Sequence, residues 1–359
     1  MPLEGKSEGK TPNAGIRWPR PRLVVSRCLE FERCRFNGGG VASETIAALR
    51  KWADFITPCP EVDVGLGVPR EPVRMIVVPG GAGEPGGGPA GGLALVQPAT
   101  KRDLTADMMA FSGRFLASLP EVDGFVLKAK SPSCGVSNAR VYTSADAREP
   151  GGRSAPGFFA AAVKERFPDH PMEDEGRLTE FENRQDFLGR IFTLARWREA
   201  AEAAVAGAAV GGSGASAVME FQAENKLLLM AWDQVTMRKL GKIAANEQKA
   251  APAEVVVEYG PLLRKALKER TRSSAISNTL QHAIGYFKDD LSGDEKQHFL
   301  DLLEKYRTGR AGPGGLSPLR ELIHSWAIKY RTGYLLSQTF LAPFPPELLA
   351  IGARESGGR

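Results

Sequence analysis

Three cysteines of this chain each stand shortly after an apolar run, and no other feature constrains the fold as strongly. The runs and their cysteines are residues 23–25 with Cys28, residues 55–57 with Cys59, and residues 124–127 with Cys134. Short apolar runs bounded by Pro and Gly predict buried parallel strands. Ligands of an open α/β sheet bind beyond the carboxyl ends of its strands, so we expect the three thiols to converge there.

Three converging thiols admit two interpretations. Soft thiolates from separate chain segments suit an iron–sulfur cluster, and a cubic cluster held by three of them keeps one iron free for a substrate. Separations of 31 residues between Cys28 and Cys59 and of 75 between Cys59 and Cys134 exclude a compact zinc knuckle or ferredoxin run. The other interpretation is that buried free cysteines pack as small apolar side chains.

Two polar side chains beside these cysteines are candidates for acid–base chemistry. Glu61 lies two residues after Cys59, and Ser131 lies three residues before Cys134. A carboxylate and a hydroxyl near an open iron could move protons during turnover. The alternatives are a carboxylate at a helix start or on the surface, and serine hydrogen bonds within the turn around Pro132.

The composition excludes several classes of protein. The 359 residues are 42% apolar and 25% charged, which is typical of a globular chain of about two domains. Without a bilayer-spanning apolar stretch or a signal-peptide core, we expect a cytoplasmic protein with no membrane association. In that compartment the four cysteines are expected to be metal-binding, catalytic or inert. The net charge of +5 permits contact with nucleic acid without requiring it.

Apolar periodicity divides the chain into an α/β half and a helical half. The first half predicts an open parallel α/β sheet, Rossmann-like and three-layered, and the second predicts an all-α domain. The predicted segments are a disordered tail over 1–21, the α/β domain over 22–197, a linker over 198–217, the helical domain over 218–349 and a tail over 350–359.

Some single elements can also be predicted. Residues 43–55 predict a helix with Ser43 as its N-cap, and residues 104–119 predict another. Ser292 and Glu295 form a capping-box pattern at a helix start. Apolar pieces at 74–78 and 93–96 flank a Gly- and Pro-rich loop and are interpreted as a β-hairpin.

The first half also carries ordered motifs. They are residues 25–29 (VSRCL), 35–39 (RFNGG), 59–61 (CPE), 65–70 (GLGVPR), 130–135 (KSPSCG), 173–178 (EDEGRL) and 184–187 (RQDF). In this order they resemble the thiouracil desulfurase family, and the resemblance covers residues 22–195.

A second set of motifs lies in the helical half. They are residues 226–231 (KLLLMA), 240–241 (LG), 278–282 (NTLQH), 285–288 (GYFK) and 338–345 (QTFLAPFP). These resemble the helical YbgA-type domain that is often fused to thiouracil desulfurases, over residues 218–349.

The first resemblance implies an iron–sulfur-dependent, non-redox desulfidase. A 4Fe–4S cluster would be bound by Cys28, Cys59 and Cys134, with Glu61 and Ser131 as acid–base residues. The substrate would be a thiolated uracil, above all thiouridine in tRNA or its nucleoside or base. The products would be uridine or uracil and sulfide.

Cys34, the fourth thiol, stands at a position that is not reliably cysteine in the family, so we leave it outside the ligand set.

The alternative function is a binding or regulatory protein with a structural metal cluster and a helical partner-binding domain. Glu61 and Ser131 favour the enzyme, because a structural site does not require them.

Basic residues of one predicted helix are candidates for contact with tRNA phosphates, and otherwise form a solvated face. They are Lys226, Arg238, Lys239, Lys242 and Lys249.

Overall fold

The computed structural model describes residues 18–78, 92–209 and 215–351, and the first half of the chain contains two β-sheets. The strands are β1 (Arg22–Val25), β2 (Asp54–Ile56), β3 (Arg74–Val77), β4 (Leu93–Gln97), β5 (Arg102–Asp103), β6 (Gly124–Leu127), β7 (Ala139–Tyr142), β8 (Ser154–Ala155) and β9 (Met172–Asp174). The first sheet is parallel, in the order β2-β1-β6-β9. The second sheet is mixed, in the order β5-β4-β3-β7-β8.

Helices flank the parallel sheet and form the second half of the chain. They are α1 (Glu44–Leu49), α2 (Pro60–Asp63), α3 (Thr105–Ala117), α4 (Phe158–Arg166), α5 (Phe181–Ala209), α6 (Ala215–Glu224), α7 (Lys226–Ala245), α8 (Pro252–Ala266), α9 (Ser273–Ile284), α10 (Gly293–Arg307), α11 (Ser317–Lys329) and α12 (Gly333–Leu336). The described residues from Ala215 onward contain no strand, so the predicted all-α half is confirmed. None of the described helices is both long and apolar enough to cross a bilayer.

Successive residues of β1 point to opposite faces of the parallel sheet. Leu23 and Val25 pack with Ile46 of α1 and Ile191 of α5. Val24 faces the other side and packs in a core that α3 and α4 complete. Because adjacent side chains of a strand alternate, a run of consecutive apolar residues needs helices on both faces. The predicted three-layer α/β architecture is therefore confirmed.

The second sheet extends the predicted hairpin. Arg74–Val77 and Leu93–Gln97 pair antiparallel, with Met75 opposite Leu95. The Gly- and Pro-rich loop expected between them lies outside the described residues. β5, β7 and β8 complete the sheet, and none was predicted, because these segments contain no uninterrupted apolar run.

Both predicted helix caps are confirmed. The backbone N–H of Ile46 donates to Ser43 Oγ at 3.4 Å. The backbone N–H of Ser292 donates to Glu295 Oε2 at 2.9 Å, and that of Glu295 donates to Ser292 Oγ at 3.2 Å, which completes the capping box.

The predicted helix over 43–55 is too long, because α1 ends at Leu49. The guanidinium of Arg20 donates to the carbonyl oxygens of Lys51 and Ala53 at 2.8 and 2.7 Å. These long-range bonds hold the chain in a turn that leads into β2, which is a tertiary effect without a local sequence signal.

Helix α7 is interrupted at Asp233, whose φ of −152° and ψ of 99° are not helical. Its Oδ1 accepts from the backbone N–H groups of Val235 and Thr236 at 2.9 and 3.0 Å and so caps the second segment. Lys226 precedes this break, and Lys249 follows the end of the helix. The expectation of a single helix carrying all five basic residues is therefore wrong.

Helix α5 belongs to both halves of the chain. Phe187 and Ile191, near its start, pack in the core of the α/β half, whereas Trp197 and Ala204 pack in the helical core. The helix continues to Ala209, through more than half of the segment expected to be a linker. The two halves thus share one continuous helix.

The first and last segments that the structure describes also pack on the α/β half. Trp18 meets Phe192 edge-on, with ring centroids 6.5 Å apart, although residues 1–21 were expected to be disordered. Phe344 and Leu348 are buried in the core that contains β1 and α5. The end of the helical domain therefore returns to the first half and completes its core.

Candidate active site

A cavity of about 530 Å³ opens at the carboxyl ends of β1, β2 and β6. All five residues predicted from the sequence line it: Cys28, Cys59, Cys134, Glu61 and Ser131. Cys34 lines it as well and packs with Cys28 and Cys59. The structure thus brings together residues that are up to 106 positions apart in the chain.

Hydrogen bonds between the strand ends fix the first two cysteine loops. The backbone N–H of Ser26 donates to Val126 O at 3.0 Å, and that of Arg27 donates to Pro58 O at 2.9 Å. The Arg27 guanidinium also bonds Thr57 O at 2.9 Å and Asp63 at 3.0 Å. The segment before Cys28 is therefore tied to the segment that carries Cys59.

The third cysteine loop is held by its own serine and by α4. The hydroxyl oxygen of Ser131 accepts from the backbone N–H groups of Ser133 and Cys134 at 3.2 and 3.1 Å. The Ser133 carbonyl oxygen accepts from Phe159 N–H at 2.9 Å, in the first turn of α4. Since the first N–H groups of a helix have no partner within it, the helix start and the loop complete each other.

Gly157 permits this close approach of loop and helix. A Cβ at this position would lie 2.5 Å from the carbonyl carbon of Ser133 and 2.8 Å from the carbonyl oxygen of Pro132. Both contacts are with backbone, which cannot swing away as a side chain can. Any side chain at residue 157 must move the loop that carries Cys134.

Gly157→Ala is expected to lower the free energy of unfolding by about 2 kcal/mol, because overpacking a tight contact displaces backbone. Gly113→Ala on α3 is the matched control, since a Cβ there meets no atom within 4 Å. It is expected to stabilise the helix by about 0.5–1 kcal/mol. Urea denaturation of both variants is the measurement, and equal effects would show that the contact at Gly157 is not tight.

Glu61 is the most constrained polar group of the cavity. Its Oε2 accepts from Arg70 Nη2 and Nε at 2.6 and 3.0 Å, and the side chains of Arg70 and Glu61 are 6% and 13% exposed. Its Oε1 accepts from the Ser133 hydroxyl at 3.1 Å, and Ser131 Oγ lies 3.5 Å from the same oxygen. One carboxylate oxygen is thus paired with a cation, and the other faces two hydroxyls.

Neither Arg70 nor Ser133 was among the site residues predicted from the sequence. Arg70 also donates to Cys34 O at 3.0 Å, so it joins the carboxylate to the cysteine loop. Arg70 belongs to the 65–70 motif, which is a sequence signal for a functional role, but its pairing with Glu61 depends on the tertiary fold.

The donor set consists of four free, buried thiols. Burial, with a smaller contribution from Cys59, raises the pKa of Cys28 to about 11. Burial also raises the pKa of Cys134 well above that of an ordinary thiol. Coordination to a metal deprotonates a thiol outright, so a bound cationic centre would offset this cost.

The donor set suits an iron–sulfur cluster by its chemistry. Cys28, Cys59 and Cys134 are soft thiols from separate loops that line one cavity, and thiolates are the usual ligands of such clusters. Within the described parts of the chain, no three His, Cys, Asp or Glu side chains are placed to hold one metal ion. The three cysteines are therefore the candidates to hold a cluster.

Cations surround the mouth of the cavity. Seven basic residues line it: Arg27, Arg35, Arg70, Arg74, Lys128, Lys130 and Arg140. Arg27, Arg70 and Lys128 have acidic partners in Asp63, Glu61 and Glu175. Among the described side chains, none of the acidic groups forms an ion pair with Arg35, Lys130 or Arg140. Such a rim attracts anionic ligands.

An open parallel sheet with thiols and an anchored carboxylate beyond its strand ends defines an α/β protein with a candidate iron–sulfur site. Comparison with known proteins identifies the family. Residues 23–175 match the model of the 2-thiouracil desulfurase family, and residues 226–345 match that of a protein of unknown function, DUF1722. The chain belongs to the 2-thiouracil desulfurase family and carries a DUF1722 domain after it. Both predicted resemblances are confirmed.

The chain is also similar to individual proteins. The chain is 36% identical over 115 residues to the uncharacterized protein YbbK of Bacillus subtilis, covering 32% of this chain and 72% of that protein. It is 27% identical over 142 residues to the uncharacterized protein YbgA of Escherichia coli, covering 39% of this chain and 80% of that protein. A solved structure, the [4Fe-4S]-dependent thiouracil desulfidase TudS, is 26% identical, covers 45% of this chain and 94% of that one, and has a TM-score of 0.30.

Proposed function

We propose that this protein is a desulfidase that hydrolyses a thiolated uracil to uracil and sulfide, with a 4Fe–4S cluster bound by Cys28, Cys59 and Cys134. Family membership supports the reaction class. The observation that carries the proposal is the position of Glu61, which is anchored by Arg70 in the same cavity as the three thiols. A purely structural cluster would need no such carboxylate beside an accessible cavity.

The proposed reaction replaces a C=S bond by C=O. When bound, the cluster supplies an iron without a protein ligand, which acts as a Lewis acid toward the substrate sulfur. Glu61 accepts a proton from the water that attacks the thiocarbonyl carbon, and it returns the proton to the departing sulfur. The water oxygen bonds to the carbon first, the C–S bond then breaks as the C=O bond forms, and both protons of the water leave with the sulfide.

The neighbours of Glu61 define the roles of the other polar groups. Arg70 fixes Oε2 and balances its charge, which leaves Oε1 for proton exchange. The Ser131 hydroxyl oxygen accepts two backbone N–H groups, so its own proton is available to a carboxylate or to a bound substrate. Ser131 thus serves as a proton relay, and Ser133 orients the carboxylate through its 3.1 Å bond.

Thiouridine in tRNA is the proposed substrate, and its nucleoside or free base would share the same chemistry. The unpaired cations Arg35, Lys130 and Arg140 at the mouth favour a substrate that carries phosphate, which free thiouracil lacks. A base inside folded RNA must lie in a loop or be flipped out to reach such a cavity. The free thiols agree with a reducing, cytoplasmic compartment, where we expect the protein to act.

The test compares thiolated tRNA, thiouridine monophosphate and thiouracil as substrates of the reconstituted protein, with sulfide release as the measurement. Activity is expected on all three, with the highest kcat/KM on tRNA. Arg140→Gln is expected to raise KM for tRNA about tenfold, because a charged hydrogen bond contributes about 1.5–3 kcal/mol. The KM for thiouracil, which carries no phosphate, is expected to stay unchanged. Arg102→Gln, on the exposed β5 outside the cavity, is the control.

Two outcomes would contradict this proposal. Cluster formation without sulfide release from any of the three substrates would support a binding or regulatory role instead. Equal effects of Arg140→Gln on tRNA and on thiouracil would show that the rim does not recognise phosphate.

A further inference from the structure

A second cavity, of about 150 Å³, lies where α5 meets the helical half of the chain. Its lining includes Gln185, Asp186 and Gly189 of α5, together with Trp232 of α7 and Arg320 of α11. Gln185 and Asp186 belong to the 184–187 motif, and neither lines the proposed active site.

Four buried polar atoms around this cavity lack hydrogen-bond partners. Buried atoms without a hydrogen-bond partner include Gln185 Nε2, Trp232 Nε1 and Arg320 Nε, all donors, and Asp186 Oδ1, an acceptor. All four residues line the cavity. Since most buried polar atoms in native proteins are satisfied, the three unsatisfied donors around one space point to a missing acceptor.

The charge of Arg320 indicates that the missing ligand is an ion rather than ordered water. Arg320 lies over the ring of Phe340, with its guanidinium carbon 4.9 Å from the ring centre, and the ion pairs of the described residues include none to Arg320. Burial lowers the pKa of this arginine to about 10, although it remains charged at neutral pH. Water could satisfy the indole and amide donors, but it would leave the partly buried Arg320 cation without a counter-charge.

The other charged groups of the cavity do not provide that counter-charge. Asp186 Oδ2 is already paired with Arg190 at 2.6 Å. Arg270 donates to Asn183 and adds a second positive charge to the lining. Glu182 also lines the cavity, but it is exposed and forms no ion pair with Arg320.

We infer that this cavity binds a small oxyanion of the phosphate or carboxylate type, with Arg320, Trp232 and Gln185 as its donors. The size of the cavity excludes a nucleotide, since sites for drug-sized ligands occupy about 300–1,000 Å³. The bound anion would contact α5 on one side and α7 and α11 on the other, and so would connect the two halves of the chain.

The experiment titrates the holoprotein with sodium phosphate and, separately, with sodium acetate, against sodium chloride at equal ionic strength. Trp232 borders the cavity, and no tryptophan lines the active site, so intrinsic fluorescence reports on this site. We expect a saturable fluorescence change and a rise in Tm with phosphate, acetate or both, and whichever of them binds identifies the type of oxyanion.

Variants locate the binding. Arg320→Gln is expected to weaken binding at least tenfold. Trp232→Phe is expected to remove the fluorescence change and to weaken binding several-fold. Arg310→Gln, at an exposed residue, is the control and is expected to leave the affinity unchanged. A shift equal to that with chloride, or unchanged affinity in Arg320→Gln, would overturn the inference. If Arg320→Gln does not fold, unchanged calorimetric affinity in Trp232→Phe would overturn it equally.

Discussion

Replacement of Cys28, Cys59 or Cys134 by alanine is expected to abolish both the cluster and sulfide release. Each thiol lies at the cavity and comes from a different loop, so none can substitute for another. We expect activity to fall more than a hundredfold, because residues that only orient a metal ligand already cost about 10- to 100-fold when removed. Iron content, visible absorption and sulfide release from thiouracil are the measurements.

Cys34→Ala is the matched control for these three variants. Cys34 is fully buried and packs with Cys28 and Cys59, but the proposed ligand set excludes it. The variant is expected to retain iron and activity and to lose about 1 kcal/mol of stability through the small cavity it leaves. Loss of the cluster in Cys34→Ala, with its retention in Cys28→Ala, would instead make Cys34 the third ligand.

Glu61→Gln is expected to keep the cluster and to lower kcat by about 10²- to 10⁴-fold, the usual contribution of a general acid–base group. The amide keeps the shape of the side chain but can neither accept a proton from water nor balance the charge of Arg70. KM is expected to change little, since the loss falls on proton transfer. Steady-state sulfide release and iron content separate this result from loss of the cluster.

Variants of neighbouring residues test whether the loss of activity is specific to Glu61. Glu32→Gln removes a neighbouring exposed carboxylate that does not line the cavity, and activity is expected to remain unchanged. Ser131→Ala is expected to lower kcat more than Ser133→Ala, because a relay loses more than an orienting contact. Full activity in Glu61→Gln would remove this carboxylate from the mechanism.

Local signals in the sequence were sufficient to predict the parallel sheet and the starts of two helices. Val24 and Val25, and the four residues of β6, form uninterrupted apolar runs, and such runs require cover on both faces. Ser43 and Ser292 indicated their helices because capping is a contact between residues three positions apart. The parallel sheet and the convergence of the thiols followed from these features.

The missing parts depend on contacts between distant segments. Arg70 pairs with Glu61 nine positions earlier, across the irregular segment that follows α2, and no periodicity indicates where such a segment returns. α1 stops at Leu49 because Arg20, from before β1, bonds the carbonyl groups that follow. The distinction between Ser131 and Ser133 also required coordinates, since only Ser133 reaches Glu61 Oε1 within 3.1 Å.

The shared helix α5 changes how the DUF1722 half should be studied. Deleting residues 218–359 would expose Trp197 to water and would also remove Phe344 and Leu348 from beneath the parallel sheet. Inactivity of such a truncated protein would report a damaged core rather than a missing RNA-docking surface. Charge substitutions on the surface of the intact chain are therefore the appropriate way to dissect its two halves.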